Sequence, residues 1–459
     1  IRALFEQIAV PSKLRPLGLE EPLDLAAAAL NRVERTEFFR RFEDAHAVQY
    51  CYEPFLEAFD PELRKQLGVW YTPEEIVQYM VRRVDQALVS ELGIADGLAD
   101  PQVYVLDPCC GTGAYLVETL RVIAERMKAK GGDALAAQRL KRAMVERIYG
   151  FEILPAPFVV SHLQIGVLLS DLGAPLAEGE RAGVYLTNAL TGWEPPQGAK
   201  QHLIFPELEA ERDAADNVKR DKPILVILGN PPYNAFAGVA QGEEQDLVEP
   251  YKKGLIKEWN IKKFNLDDLY VRFFRLAERR IAEKSERGIV CFVSNHSWVS
   301  EPSFVCMRQH LLKSFDRFWL ENMHGNRKAS EYAPDGRTSE TVFAVSGHSP
   351  GIRQGVVVSL WVKSGVAAGE RQILFRDDLD HARAADRRAA LIASLDDAQR
   401  DAHYAPARPN RENRLSFAPQ GAAGDYFTWP SITDLCGHEP LYGLNENRRG
   451  AMISIVGAC

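Results

Sequence analysis

Cysteine is scarce in this sequence of 459 residues, and the patterns in which cysteine binds metal or forms structural disulfides are missing. The seven cysteines are an odd number, no Cys-x-x-Cys pair occurs, and no cysteine pair has a matching histidine pair. The sequence also has no apolar run of about 18 residues, the length that a membrane-spanning helix needs. We therefore expect a cytoplasmic protein without a zinc site, a disulfide framework or a membrane partner.

Neither sign of charge dominates, since 55 basic and 63 acidic residues give a net charge of −8. This balance excludes a polycation, although a local basic groove would still allow nucleic acid to bind. Glycine (33 residues) and proline (26) are ordinary, which excludes collagen-like and wholly disordered chains. The apolar content of 46% at this length is enough for two to three domains with sizeable cores.

The first part of the chain, residues 1–95, has the hydrophobic periodicity of helices. Apolar residues recur at helical spacing over residues 23–39 and 73–92. Thr72-Pro-Glu-Glu75 is a helix start, with a hydroxyl at the N-cap, proline at the first position and acids in the first turn. We predict a helical N-terminal region.

The second part, residues 96–363, alternates short apolar strands with amphipathic helices at 114–127 and 267–281. The predicted strands are 103–106, 148–151, 184–186, 224–228 and 289–293. Such alternation predicts βαβ units, and therefore an α/β fold with a Rossmann-like, doubly wound parallel sheet.

The end of this part and the remainder of the chain follow a different pattern. Residues 341–345 and 356–362 have no helix between them, which predicts an antiparallel pair at a sheet edge. Residues 364–459 are charged, with one predicted helix at 377–395 and a stretch rich in Pro, Asn and Arg at 405–414. We expect a linker or the start of another module there.

A glycine-containing turn, Asp107-Pro-Cys-Cys-Gly-Thr-Gly113, joins a predicted strand to a predicted helix. Gly111 and Gly113 would let the backbone approach a ligand closely. Related turns hold pyrophosphate, but here the spacing differs and Asp107 would repel phosphate. A cofactor with a cationic amino-acid part fits better, and a purely structural turn is the alternative.

An acid, Glu152, ends the next predicted strand. In this position a carboxylate can accept hydrogen bonds from both hydroxyls of a ribose. Glu152 lies farther from Asp107 in sequence than the roughly 20 residues that separate the glycine-rich turn from the acid in a minimal dinucleotide-binding unit. A solvated acid at a strand end is the alternative.

A stiff loop, Asn230-Pro-Pro-Tyr233, follows another buried strand. The Asn230 side-chain carbonyl and the Pro231 backbone carbonyl are two acceptors that together would bind a planar NH2 group, and Pro232 adds rigidity. Tyr233 offers a flat face on which a base can stack. A rigid turn with a surface tyrosine is the alternative.

In this order, the two motifs resemble those of the gamma class of S-adenosylmethionine-dependent DNA adenine-N6 methyltransferases. That class has a further cofactor element upstream, and Gly68-Val-Trp-Tyr71-Thr72-Pro73 is similar to it, with Thr72 at the position that touches the methionine part. Segments 265–274, 288–295 and 323–326 look like the methyltransferase part of single-polypeptide (type ISP) restriction–modification enzymes. The resemblance extends over residues 45–365.

The resemblance implies a Rossmann-like methyltransferase fold and methyl transfer from S-adenosylmethionine to an adenine N6 that has been flipped out of double-stranded DNA. Asn230 and Pro231 would hold the amine and Tyr233 would stack on the base. Asn188 stands where relatives often have an Asp that meets the cofactor's adenine. Cys109 and Cys110 are expected to fill turn positions rather than act as nucleophiles. The cofactor contacts carried over from the family are Thr72, Asp107, Gly111, Gly113 and Glu152.

Basic and aromatic residues follow the catalytic loop and are candidates for DNA contacts. The candidates are Lys252, Lys253 and Lys262, with Lys257 and Lys263 beside them and Tyr251, Trp259 and Phe264 interleaved. A solvated charged loop is the alternative. His296 follows a predicted strand near the cleft and is a further DNA candidate, with a structural histidine as its alternative. A solvated face is expected for Arg272, Arg275, Arg279 and Arg280.

Relatives of type ISP also carry a nuclease and a motor domain, whereas this sequence has no GxxxxGK[ST] phosphate loop. The resemblance implies that residues 1–95 form a coupler-like or cofactor-lid region with the upstream cofactor element, and that residues 364–459 form a linker and part of a target-recognition region. We expect a nuclease or motor module as a partner in cis or in trans, so the chain is either part of a larger enzyme or a stand-alone modification protein. Two rival functions stay open: methylation of a glutamine amide or RNA base amine, and a silent DNA-recognition subunit. The intact Asp107, Gly113, Asn230 and Tyr233 favour an enzyme.

Overall fold

The computed structural model describes residues 10–34, 72–131, 135–195, 206–234, 244–344, 351–365, 371–419 and 428–430. The chain divides into two compact units, Ile1–Pro419 and Gln420–Cys459. The sheet and the candidate site belong to the first unit. The sequence predictions for residues 68–71 and for 35–39 lie outside the described residues.

The described strands and helices alternate along much of the first unit. The strands are β1 (Tyr104–Asp107), β2 (Ile148–Glu152), β3 (Val184–Leu186), β4 (Ile224–Gly229), β5 (Gly288–Asn295), β6 (Arg317–Asn322), β7 (Val356–Lys363), β8 (Gln372–Arg376) and β9 (Tyr404–Ala407). The α-helices are α1 (Pro11–Leu14), α2 (Glu20–Leu30), α3 (Glu74–Ser90), α4 (Ala114–Ala129), α5 (Ala136–Glu146), α6 (Pro155–Asp171), α7 (Pro206–Asp221), α8 (Glu249–Lys252), α9 (Leu269–Glu278), α10 (Val305–Ser314) and α11 (Ala384–Ala393). A π-helical segment, Arg279–Lys284, continues α9.

The nine described strands form one sheet in the order β3-β2-β1-β4-β5-β7-β6-β8-β9. Strands β3, β2, β1, β4 and β5 are parallel, and β7 is antiparallel to both of its neighbours. The strand order reverses between β1 and β4, and this switch point lies at the carboxyl ends of the two strands. In open α/β sheets ligands bind at this point.

Alternation of side chains along the strands creates a core on each face of the sheet. On β5, Ile289, Cys291 and Val293 pack into one core with α3, α4 and α11, whereas Val290 and Phe292 pack into the other with α9 and α10. Because both faces are covered, the parallel strands are continuous apolar runs. The predicted doubly wound α/β fold is confirmed.

The five predicted parallel strands are confirmed to within two residues at each end. The antiparallel pair is wrong: residues 341–344 form no strand, and β7 lies inside the sheet between β5 and β6. β6 was missed because Arg317, Glu321 and Asn322 interrupt its apolar run. The helix predicted over 377–395 is shorter, since α11 spans Ala384–Ala393.

The stretch at 405–414 is not wholly a linker, because it begins inside β9, whose Pro406 is tolerated at the sheet edge. Helix α3 lies before the predicted boundary at 95/96, and strands β8 and β9 lie after the predicted boundary at 363/364. All three elements nevertheless belong to the first compact unit. The predicted boundaries therefore do not coincide with the division at 419/420. The three functional parts, 1–95, 96–363 and 364–459, stay a prediction.

In the part of the chain described by the structure, no helix is both long and apolar enough to cross a membrane. Among the same residues, no group of three or more His, Cys, Asp and Glu side chains is arranged to hold a metal ion.

Trp361 of β7 fills the centre of the core that contains α9 and α10. Its fully buried indole meets aromatic rings at centroid distances from 4.7 to 6.3 Å, contributed by Phe274, Phe292, Trp298, Phe315 and Phe318. We predict that Trp361→Ala lowers the free energy of unfolding by about 3–5 kcal/mol, because it leaves a cavity that these rings cannot fill. Urea denaturation measures the loss. Tyr332→Ala, at a side chain that is 66% exposed, is the control and should change stability little.

Candidate active site

The ends of β1 and β4 bring the two sequence motifs together at the switch point. The two strands are parallel neighbours, with Leu106 paired to Ile227, so both following loops leave the same edge of the sheet. A Cβ on Gly229 would lie 2.6 Å from Asp107 Oδ1 and 3.4 Å from Cys109 Sγ. Only glycine at position 229 therefore allows the loop that begins with Asn230 to lie so close to the Asp107 turn.

The turn after Asp107 has the backbone that its glycines predict. Gly111 and Gly113 have φ angles of +54° and +91°, and α4 begins at the next residue, Ala114. A Cβ on Gly113 would lie 3.0 Å from the Cβ of Ser161. The turn thus leads directly into a helix N-terminus, where negative ligand groups are favoured.

Glu152, at the end of β2, holds this turn in place. Its carboxylate accepts hydrogen bonds from Gly111 N at 2.9 Å and from Leu154 N at 2.8 Å. Because the residue is only 8% exposed, the alternative of a solvated strand-end acid is wrong. The ribose contact stays a prediction, since these two bonds leave further lone pairs on the carboxylate.

Asp107 is fully buried, and burial raises the pKa of its carboxyl group to about 8. A hydrogen bond from Cys109 N lowers this pKa, whereas the nearby Glu152 charge raises it further. Burial also raises the pKa of Glu152, against the effect of its backbone hydrogen bonds. Asp107 Oδ2 is buried without a hydrogen-bond partner among the described residues. This acidic corner is therefore stabilised by any cation that binds beside it.

Cys109 and Cys110 line the same turn. Burial raises the pKa of both thiols well above the ordinary value, so the nucleophilic thiolate is disfavoured. Cys110 instead packs on Gly150 of β2, where a Cβ would lie 2.9 Å from its sulfur. This packing agrees with the expectation that the two cysteines fill turn positions.

The loop after β4 forms a hydrogen-bonded group with a residue far away in sequence. Asn230 Nδ2 donates to Thr72 Oγ1 at 3.0 Å, and the Tyr233 hydroxyl donates to Asn230 Oδ1 at 3.0 Å. The Tyr233 ring packs edge-on against Tyr270 and Phe343. The upstream element thus reaches the loop through Thr72, and the predicted acceptor oxygen of Asn230 is occupied by Tyr233.

Asn188 follows β3, as expected, but both ends of its amide bind protein groups. Its Nδ2 donates to Glu244 Oε1 at 2.7 Å, and its Oδ1 accepts from Leu190 N at 2.9 Å. Sequence reasoning missed Glu244, which also forms an ion pair with Arg272 at 3.2 Å. Pairing of Asn188 with an adenine stays a prediction and requires an exchange of these bonds.

The predicted lysines differ in their surroundings. Lys252 forms ion pairs with Glu249 at 3.0 Å and Asp267 at 2.8 Å, so its charge is engaged within the protein. The other four lysines of this segment are exposed. We define the basic surface as these four, Lys253, Lys257, Lys262 and Lys263, together with the exposed Arg411.

Arg411, which sequence reasoning missed, joins the basic surface through an aromatic contact. Its guanidinium lies 5.0 Å from the centre of the Trp259 ring and donates to Glu258 O at 3.1 Å. The stretch predicted as a linker therefore adds a cation to the lysine segment. No local sequence signal joins the two segments.

His296 and the arginines of α9 are less available than the sequence suggests. His296 Nε2 is buried without a hydrogen-bond partner among the described residues, and burial with the nearby His324 lowers its pKa to about 4. The uncharged ring packs against Phe375, which favours the structural alternative over a DNA contact. The expected solvated arginine face is wrong, since Arg272 is 2% exposed and Arg275 and Arg280 are also buried.

The raised pKa of Asp107 predicts a pH-dependent cost of burial. Between about pH 4 and pH 8 the unfolded chain has lost the Asp107 proton while the folded chain retains it, so this carboxyl lowers stability as pH rises. Asp107→Asn should therefore become more stable relative to the unmodified protein across this window, and the difference should level off above pH 8. Urea denaturation at a series of pH values measures it. A constant difference from pH 5 to pH 8 would contradict the assigned shift.

Comparison with known proteins gives one family match and several structural likenesses. Residues 43–258 match the model of the N-6 DNA methylase family. No curated protein matches the chain.

Three solved structures have similar folds. The ATP-dependent Type ISP restriction-modification enzyme LlaBIII bound to DNA has a TM-score of 0.64 and 22% identity over 78% of this chain and 23% of that chain. The DrdV–DNA complex has a TM-score of 0.65 and 24% identity over 90% and 36%. A nuclease-deletion mutant of the Type ISP enzyme LlaGI with a DNA substrate mimic has a TM-score of 0.61 and 22% identity over 76% and 27%.

At this level of identity the solved structures show a shared fold. The chain spans only 23% to 36% of their lengths. The family match covers the glycine turn, the acid that ends β2 and the loop after β4. Over residues 43–258 this chain is therefore similar to the N-6 DNA methylase family.

Proposed function

We propose that this chain is an adenine-N6-specific DNA methyltransferase that uses S-adenosylmethionine and serves a restriction–modification or phage-defence system of the type ISP kind. The observation that carries the proposal is the meeting of the Asn230-Pro-Pro-Tyr233 loop with the Asp107 turn at the switch point of the sheet. An amine-binding group and a cation-binding corner are thereby adjacent.

The residues at the turn fit S-adenosylmethionine, whose amino group and sulfonium are cationic. The unpartnered Oδ2 of Asp107 and the carboxylate of Glu152 match this charge, and the backbone at Gly111 and Gly113 leaves room for close approach. Thr72 and Asn188 are the further proposed contacts. When bound, the cofactor supplies an electrophilic methyl group.

The loop after β4 supplies the chemistry of the target amine. The Asn230 side-chain oxygen and the Pro231 carbonyl accept the two N–H groups, and their partial negative charges stabilise the positive charge that develops on nitrogen during transfer. Pro232 keeps the loop stiff, and Tyr233 stacks on the base. Because the Tyr233 hydroxyl donates to Asn230 Oδ1 in this structure, it must give up that bond when the base enters.

Double-stranded DNA is the proposed substrate, and flipping the adenine costs a few kcal/mol that backbone contacts must offset. The basic surface is well situated for such contacts. Arg308 donates to the carbonyls of Arg414 and Leu415 as well as to those of Trp298 and Glu301. This anchors the segment that carries Arg411 beside the loop that follows β5, the strand next to β4 in the sheet.

A nuclease or motor module, in cis or in trans, is the proposed protein partner. This chain spans only 23% and 27% of the similar Type ISP enzymes, so most of each of those enzymes has no counterpart in it. We propose that a separate or fused module supplies that part.

We predict that Asn230→Ala lowers methyl transfer about 100-fold or more, because one preorganised acceptor is lost. Cofactor affinity should stay within about twofold, since the side chain binds the amine. Transfer of tritiated methyl groups to DNA free of adenine methylation measures the rate, and mass spectrometry of nucleosides identifies the product. Tyr233→Phe is the matched control that keeps the stacking face, whereas Tyr233→Ala should lose about 10- to 100-fold.

Three outcomes would count against the proposal. If DNA contained no N6-methyladenine but glutamine or RNA were N-methylated, the result would favour the rival enzymes. Cofactor binding without any transfer would favour a silent subunit. Equal losses of rate and cofactor affinity in Asn230→Ala would contradict the role of Asn230.

We further predict that the triple variant Lys257→Ala, Lys262→Ala, Lys263→Ala weakens DNA binding without changing cofactor affinity. Each lost phosphate contact should reduce the slope of log affinity against log salt by about 0.9. Lys128→Ala is the control, since this exposed lysine lies near the end of α4 that is remote from the carboxyl edge of the sheet. An unchanged salt slope in the triple variant would exclude these lysines from the DNA interface.

A further inference from the structure

The segment 265–274, one of those that resemble type ISP enzymes, has no part in the chemistry proposed so far, yet it touches the loop after β4. Asp268 Oδ1 accepts a hydrogen bond from Asn234 N at 2.9 Å. Leu269 N, in the first residue of α9, donates to Asn234 O at 3.3 Å. The residue that follows Tyr233 is therefore held by both of its backbone groups at the start of one helix.

These two bonds fix the end of a loop that has few backbone donors of its own. Pro231 and Pro232 have no N–H group and cannot donate hydrogen bonds. The loop is tied at its start by the bond from Asn230 Nδ2 to Thr72 Oγ1 at 3.0 Å. The bonds to Asn234 are the tie at its other end.

The side chain of Tyr233 also rests on the first turn of α9. Its ring packs edge-on against the buried ring of Tyr270, with 6.2 Å between the two centroids. Its hydroxyl donates to Asn230 Oδ1 at 3.0 Å. A shift of this turn would therefore move the ring that is proposed to stack on the base, and with it the partner of the acceptor oxygen.

Buried charges hold the turn itself in place. Arg272, which is 2% exposed, donates to Asp267 O at 2.7 Å and forms an ion pair with Glu244 at 3.2 Å. Glu244 in turn accepts from Asn188 Nδ2 at 2.7 Å. Breaking a buried ion pair is costly, so the start of α9 is a fixed reference for the loop.

We propose that Asp268 is a positioning residue that sets where Tyr233 and the Asn230 amide lie relative to the target base. It acts through the N–H group of Asn234 and touches neither the base nor the cofactor. The position of its acceptor oxygen matters for this role, whereas its negative charge does not. The role rests on the proposed function, because it concerns the loop that binds the target base.

Two substitutions in the full-length chain separate position from charge. Asp268→Asn keeps an acceptor oxygen in the same place and removes the charge, so kcat should stay within about threefold. Asp268→Glu keeps the charge but displaces the acceptor by one methylene, so kcat should fall about 10- to 100-fold. The dissociation constant of S-adenosylmethionine, measured by calorimetry, should stay within about twofold in both, since neither change touches the cofactor.

Asp316→Ala is the matched control. Asp316 accepts from Ser364 N at 2.7 Å, which is a bond of the same type. It directly precedes β6, however, and β6 runs in the same direction as β4, so Asp316 lies at the amino edge of the parallel strands. Its loss should leave kcat unchanged.

The rate is measured by transfer of tritiated methyl groups to plasmid without adenine methylation, and thermal unfolding checks that the variants fold. If Asp268→Glu does not fold, Asp268→Ala takes its place, because it removes the acceptor without adding bulk. The same loss of kcat is then expected.

If the unmodified chain methylates no adenine, the proposed function fails and the role of Asp268 fails with it. If the chain does methylate adenine, three results overturn the role of Asp268 alone. These are an unchanged kcat in Asp268→Glu, a loss in Asp268→Asn as large as that in Asp268→Glu, and a loss of cofactor affinity as large as the loss of rate. A comparable loss of rate in Asp316→Ala would overturn it as well.

Discussion

The close approach of the β1 and β4 ends is the constraint on which the candidate site depends. Gly229 has no side chain, and Asp107 occupies the space that a Cβ would need. The loop after β4 therefore covers the carboxyl group of Asp107 and removes it from water. The same contact that brings the proposed amine-binding loop to the turn also creates a carboxyl group without solvation. Geometry and electrostatics at this site thus have one origin, which is the reversal of strand order between β1 and β4.

Thr72 connects the upstream element of the sequence to the loop after β4. It accepts a hydrogen bond from Asn230 Nδ2, although the two residues are 158 positions apart in sequence. Helix α4 begins directly after Gly113, whose backbone shapes the proposed cofactor turn. The upstream element, the glycine turn and the loop after β4 are thus three separate segments of sequence that only the fold brings to one edge of the sheet.

The sequence predicted what depends on local pattern and missed what depends on distant contacts. The parallel strands are buried on both faces, so their apolar runs are visible, and the turn and loop motifs are contiguous. Strands β6 and β9 were not predicted because Glu321 and Pro406 interrupt the apolar pattern. In the folded chain Glu321 is nevertheless buried and accepts a hydrogen bond from the Tyr79 hydroxyl. Arg272 looked solvated because its partner, Glu244, lies in a separate segment.

The composition of the basic surface also depends on contacts between segments that are distant in sequence. The chain carries a net charge of −8, which opposes an approach of DNA as a whole. At physiological ionic strength, however, charges act over only about 8 Å, so a phosphate near the basic surface experiences mainly the cations around it. Arg411 joins this surface only because Trp259 and Glu258 hold its side chain. A segment that lies far beyond the Asn230 loop in sequence thereby adds a positive charge to this surface, and DNA that approaches elsewhere meets no comparable attraction from these groups.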